Sequence, residues 1–158
     1  MKLFLVLLLF VSVTAFAQIT QPDFDNAMKL LKGNNPDKAL ANLENLEKKF
    51  PSDSQVIFLR GFYQFRDGNQ NGAMMSFSNA IKSNPKFAMA YDGRAQLFAA
   101  KVIFDRAISD ISEAIKLEPN NVDFITTRSS YYFETKQFAF GLEDMKTKIK
   151  LDPNNIIG

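Results

Sequence analysis

The 158-residue chain has no cysteine and no histidine. Each absence closes off chemistry. Without cysteine there is no disulfide, no thiolate nucleophile and no N-terminal cysteine to carry a lipid. Without histidine the commonest general base and the imidazole metal ligand are missing as well. Charge of one sign is also scarce: 19 Lys and Arg stand against 17 Asp and Glu, a formal net charge of +2. So balanced a chain offers no electrostatic case for nucleic acid. It has no glycine-rich phosphate loop and no nucleophile elbow. Carboxylates occur in pairs, Glu44 with Glu47, Asp110 with Glu113 and Glu143 with Asp144, for which solvated helix faces are the default expectation. The chain reads as non-enzymatic, with no catalytic residue, no cofactor and no metal assigned.

Long apolar runs are confined to the beginning. Lys2 precedes an unbroken apolar stretch at residues 3–11, and Ala15-Phe16-Ala17 supplies a small-residue cleavage site before Gln18. That order is the layout of a secretory signal peptide at residues 1–17; an uncleaved anchor is the rival, but the run is shorter than the roughly 20 residues a membrane span needs. Cleavage leaves 158 − 17 = 141 residues, one domain in residues 18–158, with a formal charge of +2 − 1 = +1. The expected location is the bacterial periplasm or the exterior, with no membrane insertion after cleavage.

What the chain does have is a period. Pro51, Pro85, Pro119 and Pro153 recur every 34 residues, the length of one helix–turn–helix unit. The units run 20–53, 54–87, 88–121 and 122–155, each with a first helix, a turn and a second helix ending before the proline. Small residues recur in the first helix (Ala27, Gly61, Ala95, Ser129) and in the second (Ala39, Ala73, Ala107, Gly141), where paired helices approach closely. Bulky residues lie beside them: Leu30, Phe98 and Tyr132, then Leu43, Phe77, Ile111 and Met145. Asn35 with Pro36 reads as a helix start, and Asp67-Gly68-Asn69 as the equivalent turn one unit later. The third unit has Lys101-Val102-Ile103 in place of a turn glycine, which leaves that turn's geometry open. Asn121 is expected to cap the helix that follows it. The last helix places Lys146, Lys148 and Lys150 on several sides, as a terminal unit with a polar outer face requires. Ile156 and Ile157 read as a frayed tail, with docking as the alternative.

These residues resemble the tetratricopeptide repeat family. Tyr91, Ala95, Phe98, Ala107, Ile111, Ala114 and Pro119 follow the family's aromatic, small, aromatic, small, bulky, small, proline pattern in the third unit, and the resemblance covers nearly all of residues 18–158. It implies an all-α, right-handed solenoid of about four antiparallel helix pairs, with a concave groove for a protein or peptide partner. First-helix positions that line the groove in the family fall here on Phe24, Met28, Leu31, Phe58, Phe62 and Phe65, then on Met89, Asp92, Gln96 and Ala99, and on Asp123, Thr126, Ser130 and Phe133. The groove is therefore expected to be aromatic in its N-terminal half and mildly acidic in its C-terminal half. Phe62 reads equally well as core. The lysine and asparagine with which chaperone-binding members clamp a carboxylate are replaced by these residues, so that clamp is absent.

Arg60, Arg94 and Arg128 form another series in phase, with Asp110, Asp144 and Ser76 recurring in the second helices. Resemblance to an arginine-containing variant of the repeat implies a structural role: arginine stems between helices, guanidinium groups on the aspartates. Three functional classes follow. The leading expectation is an exported scaffold that binds a protein or peptide. The alternative is a structural subunit of a cell-envelope assembly, or a self-associating solenoid. The third, an enzyme, would need a site made of carboxylates alone.

Overall fold

Helices form where the 34-residue pattern puts them. In the computed structural model, which describes residues 18–153, they are α1 (Gln21–Lys32), α2 (Pro36–Lys49), α3 (Ser54–Arg66), α4 (Gln70–Ser83), α5 (Ala88–Ala100), α6 (Phe104–Leu117), α7 (Val122–Glu134) and α8 (Phe138–Leu151). Among the described residues there is no strand. The expected signal peptide and the Ile156–Ile157 pair lie outside the described residues. Side-chain caps start five helices: Thr20, Asn35, Asp53, Asn69 and Asn121 each accept from backbone N–H groups of the first turn. The Asn35 and Asn121 caps are the ones the sequence indicates.

The turn left open by the sequence keeps the geometry of its neighbours. Gly68, Val102 and Lys136 hold equivalent places after α3, α5 and α7, and all three are left-handed, with φ of 80°, 58° and 60°. In each turn the next N–H returns to a carbonyl of the preceding helix: Asn69 to Gln64 at 2.8 Å, Ile103 to Phe98 at 2.9 Å, Gln137 to Tyr132 at 2.8 Å. The stack imposes the turn, and Val102 adopts a conformation that its β-branched side chain disfavours.

Helices pair as α1 with α2, α3 with α4, α5 with α6 and α7 with α8. Each second helix then packs on the next first helix. The core follows this order. One cluster joins Phe24, Leu43, Phe58, Leu59, Phe77 and Leu97, from α1 to α5; a second joins Ala95, Ile111, Ala114 and Phe124, from α5 to α7. Phe77 is held between two glycines. A Cβ on Gly61 of α3 would lie 2.7 Å from its ring, and one on Gly93 of α5 would lie 2.9 Å from it. Glycine here is the condition for two helices to close on one aromatic plate.

Each arginine of the series pairs with an acid of a second helix. Arg94 donates through Nε and Nη2 to Asp110 (2.7 and 2.8 Å), and Arg128 does the same to Asp144 (2.8 and 2.6 Å). Asp110 and Asp144 are buried, which corrects the solvated-face expectation for these two acids. Each arginine also donates to a serine of the preceding unit, Ser78 or Ser112, so the pairing is both within and between units. Hydrogen bonding to the aspartates raises both guanidinium pKa values above the ordinary range, against burial, which lowers them. Arg60 departs from the series. Its in-phase partner is Ser76, too short and uncharged, and that hydroxyl instead donates to Gln64 at 2.7 Å. Arg60 turns to Glu47 of the preceding unit, making two hydrogen bonds.

The far end of the stack differs from the polar cap expected for it. The lysines are present on α8, but Phe138, Leu142 and Ile149 stand 55%, 55% and 45% exposed between them.

A candidate partner-binding groove

Residues four and seven apart on a helix share a face, and three first helices turn such faces toward one hollow. Phe58, Phe62 and Phe65 come from α3; Met89, Asp92, Gly93 and Gln96 from α5; Met28 and Lys32 from α1. With Phe77, with Glu118 and Asn121 of the α6–α7 turn, and with Asp123 and Phe124 of α7, they line a cavity of about 380 Å³. Hollows of about 360 and 620 Å³ open between the α1–α2 turn and the end of α3, and at the α2–α3 turn beside Ser83 and Asn84. Among the described residues, neither is lined by an unpartnered buried polar atom.

The hollow has two chemically distinct walls. One is aromatic: Phe58 lies 6.3 Å from Phe62 and is braced from behind by Phe77 at 5.4 Å and Phe87 at 5.3 Å, ring centre to ring centre. The other is acidic, with Asp92, Glu118 and Asp123. Among the described residues two buried side-chain oxygens lack a hydrogen-bond partner, Asn42 Oδ1 and Asp92 Oδ1, and Asp92 is the one in this cavity. Its Oδ2 accepts from Gln96 Nε2 at 2.8 Å, while its Oδ1 is out of reach of solvent and has no hydrogen-bond partner. Burial pushes the Asp92 carboxyl up to about 6; the Gln96 bond opposes the shift and the charge of Asp123 adds to it. Nearby, Tyr131 is pushed up to about 12, chiefly by burial, with the Asp92 charge adding to it.

The fourteen first-helix positions expected to line the groove divide. Met28, Phe58, Phe62, Phe65, Met89, Asp92, Gln96 and Asp123 line the cavity, and Ala99 and Thr126 do not. Phe58 is only 3% exposed; it is the floor, held in the core by Phe24, Phe77 and Phe87, which corrects its reading as an open groove residue. Phe24 and Leu31 are core, 4% and 3% exposed, because they sit where α1 packs on α2 and α3. Ser130 is exposed on α7, in phase with Phe62 and Gln96 but beyond the cavity lining. Phe133 lies over Gly141 and 6.3 Å from Phe138, closing the α7–α8 tip rather than the groove. Lys32, Phe77, Gly93, Glu118 and Phe124 also line the cavity and were not foreseen there. Gly93 gave a signal, since a glycine inside a helix needs a packing reason.

No protein-family model matches the sequence, and no curated protein matches it. Solved structures do. A chain of the APC/C hetero-tetramer Cut9–Hcn1 superposes with a TM-score of 0.75 over 85% of this chain at 19% identity. A thermophilic TPR protein of Thermus thermophilus gives 0.72 over 85% at 16% identity, with 74% of its own chain covered. The fold is that of the tetratricopeptide-repeat proteins. The match takes in 27% of the Cut9–Hcn1 chain. The first TPR of Spaghetti (RPAP3), solved with the HSP90 peptide SRMEEVD, matches with a TM-score of 0.62 and 20% identity over 65% of this chain and 82% of its own. In tetratricopeptide terms, the cavity lies on the first-helix side of the second and third repeats.

Proposed function

We propose that this protein is a scaffold that holds a protein or peptide segment in the cavity between α3 and α5, and that the segment pairs a basic side chain with an apolar one. The carrying observation is Asp92. A half-buried carboxylate with one oxygen unpartnered costs stability, and a lysine or arginine brought by a guest to its open side, where Oδ2 meets Gln96, would offset its charge. Glu118 and Asp123 give the same wall the same sign, while Phe62 and Phe65 offer half-buried rings to an apolar neighbour. The same wall repels a guest like the acidic end of the peptide bound by the Spaghetti domain.

Panning a library of displayed 12-residue peptides on residues 18–158 tests this. Lysine or arginine next to an aromatic or aliphatic residue should be enriched, and the enrichment should vanish with Asp92→Asn. Enrichment of acidic peptides, or the same peptides on both proteins, would contradict the proposal. Residues 1–17 support a second part of the reading, export to the bacterial periplasm or beyond. The intact mass of the exported protein should then start at Gln18; a mass that includes residues 1–17 contradicts cleavage.

A further inference from the structure

Helix α8 repeats the side chains with which α6 receives α7. Phe104, Ile108 and Ile115 of α6 correspond, 34 residues on, to Phe138, Leu142 and Ile149 of α8. On α6 this seam is covered. The Phe104 ring lies 6.0 Å from that of Tyr131 on α7, and Ile115 packs into the cluster that contains Phe124. On α8 the equivalent side chains are about half exposed, so among the described residues no helix covers this helix-receiving stripe.

One position on the stripe breaks the repetition. The earlier second helices carry an acceptor for the incoming arginine: Ser78 takes Arg94 Nη1 at 3.4 Å, Ser112 takes Arg128 Nη1 at 3.2 Å, and the charge of Glu44 acts on Arg60. In phase with Glu44, Ser78 and Ser112, α8 has Lys146. Among the described residues its ion-pair partner is Glu143 on the same helix, at 3.3 Å, with both side chains about two-thirds exposed, a pairing worth little. A helix carrying the usual arginine would meet a like charge there. One carrying a carboxylate would be matched in both apolar pattern and charge.

We propose that α8 is the docking seam for an amphipathic helix of another protein, one with an acidic residue where α3, α5 and α7 have arginine. A second copy fits poorly. Pro22, Asn26 and Lys29 of α1, the counterparts of Phe124, Arg128 and Tyr131, offer neither the apolar ridge nor the acid. A two-fold pairing centred on the seam sets Lys146 against Lys146.

The probes are two blocked peptides of this chain's residues 120–137, one unchanged and one with Arg128→Glu, titrated into residues 18–158. The acidic peptide should bind about fivefold tighter, the swing expected of one exposed charge contact. In Lys146→Ser, which restores the acceptor, the preference should reverse; in Leu142→Asp both peptides should lose binding, and in Asp92→Asn nothing should change. The proposal is overturned if neither peptide binds at millimolar concentration, if the unchanged peptide binds wild type as well or better, or if the preference survives Lys146→Ser. Binding that persists in Leu142→Asp overturns it too. So does concentration-dependent dimerisation of wild type that Leu142→Asp abolishes, since the occupant is then a second copy.

Discussion

Asp92 and Val102 each hold a state that an isolated residue would avoid. For Asp92 the folded pKa of about 6 lies above the usual 3.8, so the folded state favours the protonated acid. Stability on this account is undiminished below about pH 3.8, falls as pH rises toward 6, and stays reduced above it. Asp92→Asn should therefore stabilise the protein at pH 7.5 by about 2–3 kcal/mol and by almost nothing at pH 3.5. Urea unfolding at the two pH values measures this, and equal differences at both would remove the orphaned charge from the account. For Val102, the left-handed cost of about 1–2 kcal/mol is only partly offset by the flexibility of glycine. Val102 is also largely exposed, so little burial is lost, and Val102→Gly should raise stability by about 0.5–1 kcal/mol. A lower melting temperature for that variant would contradict a strained turn. Neither state could be read from sequence. The lack of a turn glycine was visible, but not whether the turn would bend away or hold, and an acid in phase with aromatics says nothing about which of its oxygens finds a donor.

Pairs of helices explain what was legible and what was not. The 34-residue period fixed the number, length and order of the helices, because small and large side chains must alternate wherever two helices close. It did not fix which aromatic faces which way. Phe24, Phe58 and Phe62 fall on one stripe of the first helices, and burial sorted them: α1 buries Phe24 and Leu31 and turns Met28 to the cavity, while α3 keeps Phe58 in the core and gives Phe62 and Phe65 to the cavity. Nor did the period reveal that Arg60 would reach back to Glu47, since that choice followed from the short Ser76. The Phe77 plate is the sharpest consequence of helix closure. Gly93→Ala should destabilise by about 1–2 kcal/mol despite the better helix propensity of alanine, because Gly61 blocks the ring's retreat on the other side. Thermal or denaturant unfolding checks it, and a stabilised variant would show that the two helices can spread.

Over the described residues, the stack is a series of nearest-neighbour contacts whose first and last helices differ and which encloses one chemically divided hollow. The first end shows Pro22, Asn26 and Lys29; the last shows Phe138, Leu142 and Ile149. Between them the cavity sets phenylalanines against carboxylates, with Asp92 lacking one hydrogen-bond partner. The period indicated a binding scaffold. The sign proposed for the guest rests on the folded arrangement, since Glu118 and Asp123 join Asp92 only when the α6–α7 turn comes alongside α5. The most direct test is a double-mutant cycle on a groove-selected peptide: its basic residue is kept or replaced by norleucine, against wild type and Asp92→Asn. We expect a coupling of at least about 1 kcal/mol between that residue and Asp92; additive losses, with no coupling, would contradict the account.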